Sequence, residues 1–501
     1  MFRIHATSYW LPVLSGILLS LALPYIGVWP LVWIALVPLF AFASNTAQTP
    51  SRLVWGTLIF GTIYAIAVIY PLTRITGWWW GDGADYLSET GKHVLYAFSA
   101  VTIGVIAGAF FVPLMFLMRY IRERTYGAIV VALLWIMVEF LRSTIALFGY
   151  SSGVLGYTLI DTQYLKHIAA LELPHVIGGV YFLSLLIVLG NFAVLDIWEL
   201  ITFRSGPPLL RLRNSVAIMW LEPKRYAGFW CFIAMFFFAL LFGLTRTFIH
   251  PTGKHVRVAV IASAILTDES IGEKAYRDYR GKLQAALLRE PDLLVFPENT
   301  FPYFELNEAD GALVSNSMIQ FNSREKYYAD FLSLLREHPN TEVALGLHTI
   351  GKDHAWYNSV VYYQNAQPKD IYHKRKLVPF TEYVPFHISL WLPEKFTAGE
   401  RQQSVPVLGM NTGALLCSEI GDTSLPLAHR TLIISPSNDS VFVGNTASKV
   451  HHQMARMRAL ESHSYVLRAS KGGISSIIDP QGEVLMSTSD GVLVADINIE
   501  E

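Results

Sequence analysis

The stretch "VRVAVIASA" at residues 256–264 divides the chain into two parts with different sequence patterns. Its run of β-branched and small residues is typical of a buried β-strand. Before it, long apolar runs dominate, and after it, short β-rich runs alternate with amphipathic stretches. The two patterns predict an apolar helical part followed by an α/β domain.

The composition of the whole chain favours a membrane protein. Of its 501 residues, 52% are hydrophobic and 15% are charged, whereas about a quarter of the residues in an average soluble domain are charged. The 38 basic and 39 acidic residues leave a net charge of -1, which gives no indication of a nucleic-acid or polyanion partner. The length allows two or more domains.

Seven apolar stretches approach the roughly 20 residues that a helix needs to cross a bilayer core. They lie at 11–28, 30–46, 53–72, 95–118, 126–145, 176–197 and 228–248. We therefore predict an α-helical transmembrane bundle of about seven spans over residues 1–250. The segment 146–175 is too polar to span, and we predict a long exposed or re-entrant loop there.

Basic residues next to the spans predict the orientation. With a cytoplasmic N-terminus, ten Lys and Arg residues lie on the inner side and four on the outer side. An odd number of spans then puts residues 251–501 on the outer face. The triplet "WWW" at 78–80 fits an aromatic belt at the outer interface, or a surface that admits a lipid substrate.

The two cysteines have different surroundings. Cys231 lies in the apolar run "FWCFIAMFFFALLFGL", where we predict a buried hydrophobic side chain. Cys417 ends the run "TGALLC" and is followed closely by carboxylates. We expect no disulfide between them.

For residues 251–501 we predict an α/β domain with a largely buried sheet. The predicted strands are 256–264, 291–298, 341–350, 357–364, 412–420 and 430–438, and the predicted helices are 271–289, 324–337 and 446–463. Reactive groups in open α/β sheets collect at the carboxyl ends of strands. The residues that end these strands are therefore the candidates for chemistry.

A carboxylate, an ammonium and a thiol occupy such positions. Glu298 ends "LLVFPE", Lys374 follows strand 357–364 and a short linker, and Cys417 ends "GALLC". These groups suffice for acyl transfer, because the carboxylate can accept the thiol proton and the lysine can stabilise the oxyanion. Each also has a structural interpretation: a turn or cap, a solvated basic cluster and a buried hydrophobic residue, respectively.

The order and spacing of these motifs resemble the nitrilase superfamily. With the helical bundle added, nearly the whole chain is similar to the apolipoprotein N-acyltransferase family. The motifs that carry the resemblance are "FPE", "KRKLVPFTEYVPF", "LLCSEI", "SND", "HHQMARMRALES", "LRASKGGISSIIDPQGEV", "VEFLRSTIALFGYSSGVLGY" and "GGVYFLSLLIVLGN".

This resemblance implies a nitrilase-like αββα sandwich for residues 251–501 and a role for each candidate. It implies that Glu298 is the general base, Lys374 the oxyanion-stabilising residue and Cys417 the nucleophile. It also implies supporting roles for Glu382, eight residues after Lys374, and Glu419, two residues after Cys417. A purely structural role as hydrogen-bond acceptors is the alternative for each of these two carboxylates.

The implied reaction moves a fatty acyl chain from a phospholipid, through a cysteine thioester, to the N-terminal α-amine of the diacylglyceryl-cysteine of an apolipoprotein. The implied location is the bacterial cytoplasmic membrane, with the catalytic domain outside, and the implied state is a monomer. No metal-ligand spacing, phosphate loop or dinucleotide fingerprint occurs in the sequence, so we expect no metal or cofactor.

Several departures from the family pattern lie where substrate choice would be set. The segment "VIASAILTDESIGEKAY" lacks the amides and the Trp usual there, Ser418 replaces a usual Tyr, and Val441 replaces a usual aromatic residue. Two alternatives therefore stay open: a membrane-tethered nitrilase-like amidohydrolase or acyltransferase with another acceptor, and a non-catalytic lipoprotein-binding scaffold. The polar stretch 311–325 is a candidate lid.

Overall fold

The computed structural model describes residues 8–45, 47–70, 88–122, 124–144, 151–174, 176–202, 217–246, 253–264, 273–301, 304–315, 324–379, 382–383, 396–400, 405–425, 430–442 and 446–499. The described residues up to 246 form one compact unit, and those from 253 onwards form a second. Three features named above lie outside the described residues: the "WWW" triplet, residues 265–272 of the segment "VIASAILTDESIGEKAY" and most of the candidate lid.

Apolar helices build the N-terminal unit. They are α1 (Trp10–Leu21), α2 (Val37–Ser44), α3 (Pro50–Ile69), α4 (Glu89–Ala109), α5 (Val112–Ile121), α6 (Gly127–Thr144), α7 (Val180–Thr202) and α8 (Ala227–Arg246). In the described part of the chain, five segments are long and apolar enough to cross a membrane: Pro50–Ile69, Ala100–Ile121, Gly127–Thr144, Val180–Thr202 and Ala227–Arg246.

The first two predicted spans differ from the expectation. Stretches 11–28 and 30–46 contain only shorter apolar helices, Trp10–Leu21 and Trp29–Ser44. Pro30 and Pro38 each stand at the start of a helical segment in the second stretch. Because proline is tolerated in the first turn and interrupts a helix interior, these residues divide the run into short pieces.

Most of the described part of segment 146–175 is buried, although residues 172–174 are exposed, so a fully exposed loop does not hold for this segment and the re-entrant alternative stays a prediction. The segment forms three 3-10 turns, Ser151–Gly153, Leu155–Leu159 and Leu165–Ala170. The amide of Leu155 donates to Glu139 Oε1 on α6 at 3.2 Å, and the amide of Gly156 donates to Ser184 Oγ on α7 at 2.9 Å. Polar side chains on the spanning helices thus satisfy backbone groups that would otherwise need water.

The C-terminal unit contains two sheets. The strands are β1 (Lys254–Ala262), β2 (Leu293–Val295), β3 (Phe304–Asn307), β4 (Leu313–Ser315), β5 (Glu342–Ile350), β6 (Trp356–Gln364), β7 (Gln367–His373), β8 (Val405–Val407), β9 (Met410–Ala414), β10 (Leu432–Asn438), β11 (Tyr465–Lys471), β12 (Ser475–Ile478), β13 (Val484–Thr488) and β14 (Gly491–Ile499). The first sheet has the order β14-β1-β2-β5-β3-β4, with β6 pairing β5 and β7, and the second has the order β13-β12-β11-β10-β9-β8.

Helices cover the outer faces of the two sheets. Side chains of both sheets, among them Val258, Leu293, Ile434 and Leu467, form one buried core. A second core lies between the first sheet and helices α9 (Glu273–Leu287) and α10 (Arg324–Arg336). Helix α11 (Thr446–Ser462) contacts β11 and β12 of the second sheet. The predicted αββα sandwich is confirmed.

The position of the turn after β2 follows from the pairing of β5 with both β2 and β3. β2 pairs with residues 342–344 and β3 with residues 348–350, so the chain between them turns beside the middle of β5. A Cβ on Gly346 would lie 2.3 Å from the carbonyl oxygen of Pro297. Only glycine therefore permits the close approach of this turn, which carries Glu298.

Candidate active site

Glu298 lies in the turn after β2, with 7% of its surface exposed. Its Oε1 atom accepts a hydrogen bond from Asn358 Nδ2 at 2.8 Å. Within the described part of the chain, its Oε2 atom has no hydrogen-bond partner. A buried carboxylate with one unused oxygen can still accept a proton.

Lys374 follows directly after β7, because the linker expected before it is itself a strand. Its side chain is 1% exposed, and Nζ lies 2.9 Å from both carboxylate oxygens of Glu382. Burial lowers the pKa of Lys374, but the negative charges of Glu382, of a Cys417 thiolate and of Glu298 raise it more. The net pKa lies above the ordinary lysine value, so the side chain stays an ammonium.

Glu382 orients both its neighbours. Its Oε1 accepts from Asn358 Nδ2 at 3.0 Å as well as from Lys374, and its Oε2 accepts from the amide of Val378 at 2.7 Å. The single amide group of Asn358 thus bridges the carboxylates of Glu298 and Glu382. This bridge fixes the position of the ammonium relative to the carboxylate of Glu298.

Cys417 begins the 3-10 turn Cys417–Gly421 that follows β9. Its φ is 54°, in the left-handed region that residues with a Cβ rarely occupy, and its side chain is partly buried. Burial raises the pKa of the Cys417 thiol, the charge of Glu298 raises it further, and Lys374 opposes the rise. The resting thiol is therefore neutral, and it would need a proton acceptor to act as a nucleophile.

Glu419 is fully buried and uses both oxygens as acceptors. Oε2 accepts from the amide of Leu416 and the hydroxyl of Tyr372, each at 2.9 Å. Oε1 accepts from the amides of Arg375 at 2.8 Å and Lys376 at 3.1 Å. Burial raises the pKa of Glu419. These contacts favour the structural interpretation, in which Glu419 joins the turn of Cys417 to the segment that carries Lys374.

The structure brings the five predicted residues into one connected group. Hydrogen bonds link Glu298, Asn358, Glu382 and Lys374 in a chain. Electrostatic coupling links Cys417 to Glu298 and Lys374. Cys231, by contrast, lies on α8 in the other unit, with Sγ 3.7 Å from Met235 Sδ, and both cysteines are free.

Three contributors were missed by reasoning from sequence. Asn358 is a buried amide in the strand "YNSVVYYQ", and Lys471 is a buried cation that ends strand β11. The third is Asp439, whose partners are Ser437 Oγ at 2.8 Å, His451 Nδ1 at 3.1 Å, Arg468 Nη2 at 2.6 Å and Ser470 Oγ at 3.0 Å. A polar residue within a largely apolar strand is a signal that singles out Asn358, whereas Lys471 follows Arg468 and Ser470 in a mixed strand and has no such signal.

The geometry of this group suits acyl transfer. It combines a neutral thiol, a carboxylate with a free oxygen and a buried ammonium fixed by a second carboxylate. Among the described residues, no group of three or more His, Cys, Asp or Glu side chains is placed to hold a metal ion.

Comparison with known proteins matches both units of the chain. The model of the carbon-nitrogen hydrolase family matches residues 270–501, and that of the apolipoprotein N-acyltransferase N-terminal domain matches residues 15–193. The apolipoprotein N-acyltransferase of Geobacter metallireducens is 26% identical over 98% of this chain and 90% of that protein. That of Azotobacter vinelandii is 25% identical over 95% of this chain and 85% of that protein.

Among solved structures, the carbon-nitrogen hydrolase of Helicobacter pylori is 17% identical to this chain. The similarity covers 49% of this chain and 89% of that one, with a TM-score of 0.36.

Proposed function

Because this chain belongs to the apolipoprotein N-acyltransferase family, we propose that it N-acylates apolipoproteins through a thioester on Cys417. The donor in this proposal is a phospholipid, and the acceptor is the α-amine of an N-terminal diacylglyceryl-cysteine. The observation that supports it most is the free Oε2 of Glu298 in the same buried group as the Lys374–Glu382 pair.

In the first half-reaction, the Cys417 thiol gives its proton to Glu298 while sulfur attacks the ester carbonyl of the phospholipid. The ammonium of Lys374 stabilises the oxyanion of the tetrahedral intermediate. When that intermediate collapses, the ester C–O bond breaks and Glu298 returns the proton to the leaving alkoxide. The products are a lysophospholipid and an acyl-Cys417 thioester.

In the second half-reaction, the α-amine of the acceptor attacks the thioester carbonyl. Glu298 accepts the amine proton, Lys374 again stabilises the oxyanion, and the C–S bond breaks as the proton passes to sulfur. The amide product leaves, and the neutral thiol is restored. This cycle agrees with the raised pKa of the Cys417 thiol, because burial and the charge of Glu298 keep the thiol protonated before each cycle begins.

Asn358 and Glu382 act as positioning residues in this proposal. Glu382 holds the ammonium of Lys374, and Asn358 keeps the Oε1 atoms of Glu298 and Glu382 on one amide. Glu298 is thereby left with Oε2 as the proton-accepting atom. Preorganised donors of this kind need no rearrangement when charge develops in the transition state.

The five apolar helices and the family identify a bacterial membrane protein. We propose that the C-terminal unit lies on the outer face of the cytoplasmic membrane, as the excess of basic residues on the inner side predicts. A membrane unit suits two lipid substrates, because withdrawing an acyl chain into water costs about 0.8 kcal/mol per CH₂.

The test is mass spectrometry of the purified protein in detergent. Given phospholipid alone, the Cys417 peptide should gain one acyl group, and the Cys417→Ala variant should gain none. When a diacylglyceryl lipopeptide is added, the adduct should disappear while the lipopeptide gains one acyl chain on its amine.

Other outcomes of this test contradict the proposal. An adduct that passes only to water or to small amines would indicate an amidohydrolase or an acyltransferase with another acceptor. No adduct on a folded protein with reduced Cys417 would indicate a non-catalytic role. Full turnover by Cys417→Ala would exclude Cys417 as the nucleophile.

A further inference from the structure

A second buried lysine lies beside Glu298 and has no part in the cycle above. Lys471 ends β11 and is fully buried. Its Nζ donates to the carbonyl oxygen of Asn299 at 2.9 Å. Asn299 follows Glu298 directly and has a φ of 47°, in the left-handed region. Lys471 therefore contacts the turn that presents the proton acceptor.

This contact ties the second sheet to the turn on the first sheet. On the first sheet, the amide of Thr300 donates to the carbonyl oxygen of Gly346 at 3.0 Å. Next to Lys471, the amide of Gly472 donates to Ser263 O at 2.6 Å, which joins the end of β11 to the end of β1. The turn at 297–300 is thus held from β5 on one side and from Lys471 on the other.

Glu298 is the carboxylate whose charge acts on Lys471. Burial lowers the pKa of Lys471 to about 8, and the charge of Glu298 opposes this shift. On the neighbouring elements, Asp439 after β10 is bound by Arg468 and His451. Asp278, whose Oδ2 lies 3.4 Å from Ser263 Oγ, is paired with Lys282 at 2.6 Å.

We propose that Lys471 is a positioning residue whose ammonium holds the Glu298–Asn299 turn, and with it the carboxylate that accepts the Cys417 proton. A charge-assisted hydrogen bond is roughly twice as strong as a neutral one, so the contact weakens when the lysine loses its proton. The role of Glu298 on which this rests comes from the proposed function. The effect should disappear above about pH 8, where Lys471 becomes neutral.

The experiment measures alkylation of Cys417 by iodoacetamide in the full-length protein in detergent, with mass spectrometry of the Cys417 peptide. At about pH 7, Lys471→Met should be alkylated about ten- to a hundredfold more slowly than wild type, because one charged hydrogen bond is lost. Above about pH 9 the two rates should converge, since Lys471 is then neutral in the wild type as well. The matched control is Lys369→Met, on β7, which should react like wild type at every pH.

Two results overturn the proposal: a wild-type rate for Lys471→Met near pH 7, or a slowing by the same factor at every pH, which a purely structural role would give. If Lys471→Met lacks a thermal unfolding transition, it is not folded, and Lys471→Gln replaces it. Lys471→Gln keeps a hydrogen-bond donor without the charge, and the same two results would overturn the proposal. Alkylation needs neither lipid substrate. If it follows the expectation while no phospholipid acylates Cys417, the proposed reaction fails and the positioning role stands.

Discussion

Two groups of buried charges in the C-terminal unit differ in how completely their carboxylates are hydrogen bonded. In the group around Asp439, each carboxylate oxygen has two partners: Ser437 and His451 at Oδ1, and Arg468 and Ser470 at Oδ2. In the group around Lys374, Glu298 has one partner at Oε1 and, within the described residues, none at Oε2.

In the proposed reaction, this difference separates a supporting carboxylate, Asp439, from the one that accepts a proton, Glu298. Burial alone would raise the pKa of Asp439, but Arg468 and His451 lower it well below the usual range for aspartate. A carboxylate with four partners has little capacity to accept a proton during a reaction. Glu298 has an oxygen free for a proton, whereas both oxygens of Glu382 and both oxygens of Glu419 already accept hydrogen bonds.

The largest effect should come from removing the free carboxylate oxygen. Glu298→Gln keeps an oxygen that accepts from Asn358 and removes the proton acceptor. We expect kcat for lipopeptide acylation to fall about a hundred- to ten-thousandfold, the usual contribution of a general base. The measurement is steady-state acylation, with the thermal midpoint recorded to show that the fold is unchanged.

The matched control for this prediction is Glu342→Gln, at the start of β5 in the same sheet. Glu342 is buried and paired with Lys369 at 3.3 Å, away from Cys417 in the hydrogen-bond network. Its kcat should stay within a few-fold of wild type. Near-normal turnover by Glu298→Gln would show that the free oxygen of Glu298 is not the proton acceptor.

A smaller loss of activity, with a loss of stability, should follow from Lys374→Met. Removing one oxyanion donor lowers kcat by about a hundred- to a thousandfold. The substitution also leaves Glu382 buried and unpaired, which destabilises a fold by about 3–5 kcal/mol. Adding Glu382→Gln should restore much of the stability and none of the activity.

This double-variant cycle separates the two roles of Lys374. Unfolding in denaturant gives the stability, and acylation of the lipopeptide gives the activity. Lys369→Met, which breaks a partly exposed pair, serves as the control for both. If the double variant recovers activity together with stability, Lys374 holds the fold and does not stabilise an oxyanion.

Strands made of apolar runs could be predicted from the sequence alone. The strands predicted at 256–264, 341–350 and 357–364 match β1, β5 and β6 within two residues at each end. The length of such an apolar run and the alternation of its side chains identify the strand, because its own apolar residues drive its burial. The residues Glu298, Lys374 and Cys417 were found because each follows such a strand or belongs to a recognisable motif.

The parts that sequence missed depend on partners far along the chain. Strand β7, "QPKDIYH", is polar and exists because it pairs with β6. Strand β11 is fully buried although it contains Arg468, Ser470 and Lys471. Asn358 lies 60 residues from Glu298, and Lys471 lies 172 residues from Asn299. No local pattern encodes these contacts, because each polar group is satisfied only when segments distant along the chain meet.

The smallest effect on catalysis, and a clear effect on stability, should come from Asp439→Asn. The substitution leaves Arg468 buried without its counter-ion, so we expect a loss of about 3–5 kcal/mol in the free energy of unfolding. Turnover per folded molecule should change less than about tenfold, because a carboxylate with four partners is no proton acceptor. Asp496→Asn, which breaks an exposed pair with Arg257, is the control, and its free energy of unfolding should stay close to that of the wild type.

The pH dependence of the free energy of unfolding is the sharpest test of this variant. Because the folded pKa of Asp439 is depressed, its stabilising contribution is complete above the ordinary aspartate pKa and is lost as the pH falls below it. Denaturant unfolding of the wild type should therefore show stability falling between about pH 5 and pH 2. In Asp439→Asn that decline should be shallower, since the titrating group is gone. An equally steep decline in the variant, or a large loss of turnover in its folded fraction, would remove the distinction between the two carboxylate groups.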